Sequence, residues 1–272
     1  MLRQRGFTLV ELVMVIVLLG IVATISTQFV SLSVRGAIDL GDRQQRALQG
    51  VVISEQVTRE VRNAFPLSVR ESGECLEWLP IRGGTTYQSL PAGSGGNKVE
   101  ILPFGREISA GSRLIVYGYG SSQGSLYESG ASVPNPGPVS PPIEQVDPGD
   151  VEIAFADSET HRFRERSPQK RIYAVGNAIS VCQKQDNNST RLYRFTDYKP
   201  DTSGPRSFDW LSANADDSGV MSANMVKNSL IWKVVPASLQ RSAVVNFEFE
   251  LFASGSDETT HVNQEVHIRN VP

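Results

Sequence analysis

From Phe7 to Val30 the chain runs for 24 residues with a single ionisable side chain, Glu11. About 20 helical residues cross the hydrocarbon core of a bilayer, so this run is long enough to span one. The flank before it, Met1 to Gly6, holds Arg3 and Arg5 and no acid. By the positive-inside rule that short end stays in the cytoplasm and the rest of the chain is exported. Glu11 is the anomaly. A carboxylate in a membrane span costs roughly 2–4 kcal/mol at the bilayer centre and less near its edge, so something should offset it.

Three readings compete for residues 1–30. A secretory signal peptide needs a small-x-small cleavage site after a shorter apolar core, whereas here the core is longer and "VATISTQFV" offers no A-x-A site. A plain membrane anchor explains the length and the arginines. It leaves Glu11 unexplained, and it gives no role to Gly6, a poor helix former placed immediately before the apolar start. The third reading accounts for every feature. The short basic leader, Gly6-Phe7-Thr8-Leu9-Val10-Glu11 and the apolar run behind them resemble the type IV prepilin motif of pilins and type II secretion pseudopilins.

That resemblance implies cleavage by a prepilin peptidase between Gly6 and Phe7, N-methylation of Phe7, and subunit docking through Phe7 and Glu11. The new amine at Phe7 lies one helical turn from Glu11, on the same face. The carboxylate then pairs with its own terminus or, as the family favours, with a neighbouring subunit's. In a low-dielectric setting this pairing offsets the burial penalty and fixes the axial register. The alternative is a Glu11 that snorkels to the cytoplasmic headgroups.

Beyond the span the apolar positions recur at three and four: Val34, Ile38, Leu48, Val51, Val57, Val61 and Phe65. Charges hold the other faces, which describes an amphipathic helix ending near Pro66. Gly36, Gly41 and Gly50 each weaken it by roughly 1 kcal/mol relative to alanine, which invites bending or local melting there. After Pro66 short alternating runs such as "CLEWLPI", "KVEILPF", "RIYAVGNAISVC" and "AVVNFEFELFA" read as strands between turn-rich stretches, and hence as antiparallel sheet. The expected fold is α+β and pilin-like: a long N-terminal helix packed on a large antiparallel β-rich head. Its divisions are a leader (1–6), a transmembrane and filament-core half-helix (7–30), an amphipathic periplasmic half-helix (31–65) and a head (66–272). A proline-rich loop, 132–149, is placed to split the head into two lobes.

Cys75 and Cys182 are too far apart in sequence for a CxxC redox or zinc motif. In an exported chain a disulfide between them is the expectation, with two separately buried thiols as the alternative. "HRFRERSPQKR" (161–171) mixes basic residues with Phe163 and suggests either a nucleic-acid contact or an ordinary hairpin with a solvated face. "SANADDSGV" (212–220), with Asn214, Asp216 and Asp217, suggests either calcium ligands or a polar turn, and lacks the spacing of an EF-hand. His161, His261 and His267 form no metal motif, and "GYGSSQG" (118–124) lacks the helix a phosphate loop needs. No catalytic residue, metal or cofactor is expected, and the chain reads as a non-enzyme.

Within the family, the bulk of the head favours a low-copy minor subunit over a major pilin. "RNAFPLSVR", "CLEWLPI" and "RIYAVGNAISVCQ" resemble minor pilins of mannose-sensitive haemagglutinin (MSHA) pilus biogenesis. Retention of Glu11 weakens a K-type pseudopilin reading. The alternatives are a J-type minor pseudopilin of type II secretion, or a pilus-presented adhesin or DNA-binding head. The partners so implied are other minor and major pilins, the prepilin peptidase and an inner-membrane assembly platform, with no small-molecule substrate and with nucleic acid disfavoured. The location implied is the bacterial inner membrane with a periplasmic head, or the extracellular pilus.

Overall fold

The computed structural model describes residues 8–119, 121–128, 136–186, 189–252 and 258–270. The chain divides into two units, Met1–Gln49 and Gly50–Pro272. One helix, α1 (Leu9–Arg62), runs through both. Its 54 residues make it about 80 Å long. It continues unbroken through Gly36, Gly41 and Gly50, so the expected melting at the glycines does not occur. It stops three residues short of Phe65 because other acceptors take over. Asn63 and Ala64 donate to carbonyls only three residues back, and the Phe65 amide donates to the Leu79 carbonyl at 2.8 Å. Pro66 then opens a 3-10 turn.

The strands that follow are β1 (Arg70–Ser72), β2 (Cys75–Trp78), β3 (Ile81–Ser89), β4 (Lys98–Ile101), β5 (Arg113–Ile115), β6 (Val139–Pro142), β7 (Glu152–Ala154) and β8 (Arg171–Val175). After them come β9 (Ile179–Gln185), β10 (Thr190–Thr196), the short helix α2 (Phe208–Asn214), β11 (Asp217–Met225), β12 (Ile231–Val235), β13 (Ala243–Phe252) and β14 (Thr259–Ile268). They form a long apolar helix followed by a large antiparallel β-rich head. The larger sheet is ordered β1-β2-β9-β10-β11-β13-β12, with β14 also paired to β13. The smaller is ordered β6-β5-β8-β3-β4-β7. Every strand of the smaller sheet lies between residues 81 and 175, so that sheet is inserted between β2 and β9, which pair with each other directly.

Three apolar clusters follow from this arrangement. Ile53, Val57 and Val61 on α1 pack with Leu76, Trp78, Val245, Phe247 and Phe249 of the larger sheet. Phe65, Leu79, Ile115, Val175, Phe195 and Leu211 form a second cluster. Leu114, Ile153, Phe155 and Ile172 form the third, around the inserted sheet. The buried stripe of α1 therefore runs through Gly50, Ile53, Val57 and Val61, flanked by buried Arg46, Ser54 and Thr58, whereas Leu48 and Val51 are exposed. Gly50 explains the phase. A Cβ there would sit 2.8 Å from a methyl of Val262, so the missing side chain lets β14 lie close against the helix.

The proline-rich segment is not simply a loop. Val139–Pro142 forms β6, at the edge of the inserted sheet, where prolines are tolerated because one side of the strand needs no donors. Residues 132–135 lie outside the described residues.

Candidate functional site

The first described residue, Thr8, sits immediately before the helix. Its Oγ1 accepts from the Glu11 amide at 3.3 Å, and its carbonyl accepts from the Leu12 amide at 3.2 Å. Thr8 and Glu11 thus hold the first and last positions of a T-x-x-E capping sequence, in which the threonine satisfies an amide that the helix cannot. The carboxylate also lies in the first turn, where the helix dipole favours negative charge. Sequence reasoning gave Glu11 a docking role and overlooked this one, although the T-x-x-E spacing was there to be read. Gly6 and Phe7, the expected scissile pair, lie outside the described residues. The helix begins two residues after Phe7.

From Leu9 to Gly41 every residue is exposed. Val13, Ile16, Leu19, Ile21, Val22 and Phe29 are all at least half accessible. Apolar surface of this extent far exceeds what a soluble monomer leaves uncovered. Lipid or the apolar faces of other helices must cover it. The helix is long and apolar enough to cross a membrane.

In the head, Cys75 and Cys182 form a disulfide. They are direct partners across β2 and β9, with a Cα–Cα distance of 4.1 Å, and both are sealed from solvent. The bond therefore joins neighbouring strands of one sheet rather than tying two lobes together. Beside it runs a buried polar chain that sequence reading missed. Arg70 donates through Nε to Glu77 Oε2 at 2.5 Å and through Nη2 to the Asp201 carbonyl. Its guanidinium lies 3.5 Å from the centre of the Tyr127 ring. Tyr198 donates to Glu77 Oε1 at 2.8 Å and also meets the Ser180 hydroxyl. Burial pushes the Glu77 carboxyl above its ordinary range, and Arg70 and Tyr198 pull it back only in part. Alternation along "CLEW" gave no sign that Glu77 faces inward, because all four residues of β2 are buried.

The basic-aromatic segment at 161–171 offers no stacking platform. His161 and Phe163 are buried and meet edge-to-face at 4.9 Å, and Phe155 packs on the same histidine. Burial lowers the His161 pKa, and its Nε2 has no hydrogen-bond partner among the described residues. Of the suggested calcium ligands, Asn214 ends α2 and donates to the Trp210 carbonyl, whereas Asp217 opens β11 and accepts from Thr196. Among the described residues no group of three or more His, Cys, Asp or Glu is placed to hold a metal.

Residues 1–27 match the family model of the prokaryotic N-terminal methylation motif. No curated protein and no solved structure matches the chain. The motif supports a type IV pilin- or pseudopilin-like protein, and so a structural subunit rather than an enzyme. Together with the single apolar helix found among the described residues, it fits a membrane-anchored chain that assembles with other pilins.

Proposed function

We propose that the chain is a minor type IV pilin of the MSHA kind, most like the biogenesis subunit MshO. It is made as an inner-membrane precursor with its head in the periplasm. Prepilin peptidase removes residues 1–6 and methylates Phe7, and the mature subunit primes, tips or enters a pilus. The observation that carries this reading is the methylation motif at residues 1–27, followed directly by a helix that is apolar and exposed from Leu9 onward. Arg3 and Arg5 before the span favour a cytoplasmic leader. A disulfide in the head suits an oxidising periplasm. A head of this bulk suits a low-copy subunit rather than a major pilin.

Docking through Phe7 and Glu11 is part of the proposal, and capping by Glu11 competes with it. Two variants separate them. Glu11→Gln keeps a capping residue but removes the charge, whereas Thr8→Ala keeps the charge and costs the helix start about 1 kcal/mol. The mature amino terminus is read by mass spectrometry of protein from its native membrane, and assembly by recovery in sheared pili. The expectation is a chain beginning at N-methylated Phe7, with Glu11→Gln processed normally but absent from pili and Thr8→Ala still incorporated. A chain beginning at Met1 would sink the filament reading. Normal assembly of Glu11→Gln would leave Glu11 as a cap only. Loss of protein secretion instead of pili in a deletion strain would point to the J-type pseudopilin.

A further inference from the structure

The head contains a concave site that filament assembly through α1 does not use. An open cleft of about 630 Å³ lies where the inserted sheet meets the larger one, within the size range of small-ligand sites. Arg113, from β5, contributes the positive charge at its base. This arginine is only 6% exposed, and its Nη1 donates to the Glu128 carbonyl at 2.5 Å. That is the one hydrogen bond the guanidinium makes among the described residues, and none of their carboxylates pairs with it. Glu77 is the one buried carboxylate among them, and it is occupied by Arg70 and Tyr198. Burial pulls Arg113 below the ordinary arginine range, and the nearby Tyr127 phenol, with no carboxylate beside it, offsets that pull only in part. A guanidinium removed from water without a counter-charge is costly. This one borders a cleft that an anion can enter.

The exposed rim has the opposite character. Apart from Lys199 it presents acceptors: Asp197, Asp216 and Asn214. Asn177 donates to Asp197 Oδ1 at 3.1 Å and holds that carboxylate in place. Asn214 uses its amide nitrogen on the Trp210 carbonyl, so its oxygen is left to accept. A bare carboxylate or phosphate would satisfy Arg113 and then meet two aspartates. A ligand with one carboxylate on a body rich in hydroxyl donors satisfies both zones.

We propose that this cleft binds a carboxylate-bearing saccharide, with its carboxylate on Arg113 and its hydroxyls on Asp197, Asp216 and Asn214. The site goes beyond the pilin reading and does not depend on it.

The test is calorimetric titration of the full chain in detergent micelles with D-glucuronate and N-acetylneuraminate, using D-glucose and acetate as controls. The expected result is saturable binding of at least one acidic sugar in the millimolar range or tighter, with both controls at least about tenfold weaker. Arg113→Met should abolish that binding. Because removing a buried side chain risks the fold, Asp216→Ala combined with Asn214→Ala supplies a second variant at exposed positions, and it should weaken binding about tenfold. Failure of both sugars to bind, equal binding of glucose or acetate, or unchanged affinity in the rim variant would each overturn the proposal.

Discussion

Along one unbroken helix the same residue types meet opposite fates. Val13, Ile16 and Leu19 stand exposed, whereas Ile53, Val57 and Val61 are sealed under a sheet. The difference lies in what interrupts the apolar residues. Between Asp42 and Arg62 charged and polar residues are interleaved with the apolar ones, so one stripe can be buried by one partner while only Leu48, Val51 and Val52 are left exposed as large apolar side chains. Between Leu9 and Val30 Glu11 is the one ionisable residue, and the polar Thr24, Ser26, Thr27 and Gln28 cluster near one end, leaving no continuous face for water. Composition locates apolar surface. Periodicity decides whether the protein can cover that surface itself.

If the two regions are as independent as this contrast implies, breaking the head should leave the apolar half-helix intact. The largest effect is expected from reducing the Cys75–Cys182 disulfide, which closes a separation of 107 residues and contributes roughly 4–5 kcal/mol in the chain-entropy account. Tryptophan fluorescence of the buried Trp78 and Trp232 should report a much earlier denaturant midpoint. Helical circular dichroism from the detergent-held segment should persist, and its simultaneous loss would break the comparison. Glu77→Ala comes next. It strands Arg70 in the core, at an expected cost of about 3–5 kcal/mol. Arg70→Met with Glu77→Leu should recover most of that in the same urea titration.

A smaller effect concerns acid. His161 is held neutral by burial, with a folded pKa below its ordinary 6.5. Its contribution to stability is complete above 6.5. As pH falls from there toward the folded value, the unfolded chain takes up a proton that the folded one refuses. Head stability should therefore drop by at most about 1.4 kcal/mol per pH unit. His161→Phe should flatten that slope, and an unchanged slope would assign it elsewhere. The smallest effect sharpens the contrast within α1 itself. Gly36→Ala and Gly41→Ala meet nothing within 4 Å and should each stabilise the helix by about 1 kcal/mol. Gly50→Ala gains the same propensity but crowds Val262, so thermal melts should show no net gain.

Much of the fold was legible because its signals are local. The apolar run and the strands with alternating or continuous apolar residues need only short-range patterns, and two cysteines in an exported chain leave a single pairing to expect. What escaped notice depends on contacts distant in sequence. β3 carries Gly83 and Gly84, which look like a turn, yet each glycine gives room to an aromatic ring, Phe104 over the first and Tyr173 over the second. α2 is seven residues long and too short for a helical period to emerge, although Ser207 caps it. β11 is mostly exposed and polar, and only its partner β10 makes it a strand. At the candidate site, Glu11 was legible as an outlier in an apolar run. Its place in a capping pair was written in the T-x-x-E spacing, and the helix start at Leu9 gives that spacing its meaning.

The insertion between β2 and β9 has a consequence for how such a head can change. Trp78 faces Ile179 across the ladder, so the inserted sheet leaves and re-enters the larger one at a single rung. In effect it is an overgrown turn on a hairpin, closed by a sulfur clasp three rungs away at Cys75 and Cys182. Closure entropy rises only slowly with loop length, so packing rather than chain length is what ties residues 81–175 to the ladder: Ile115, Tyr127 and Val175 share a core with Leu79, Cys75 and Phe195. Variation is therefore open to the β4 and β7 end of the insertion, whose Val99, Ile101 and Ile153 belong to a separate cluster, and closed to β5 and β8, whose Ile115 and Val175 are held in common with the larger sheet.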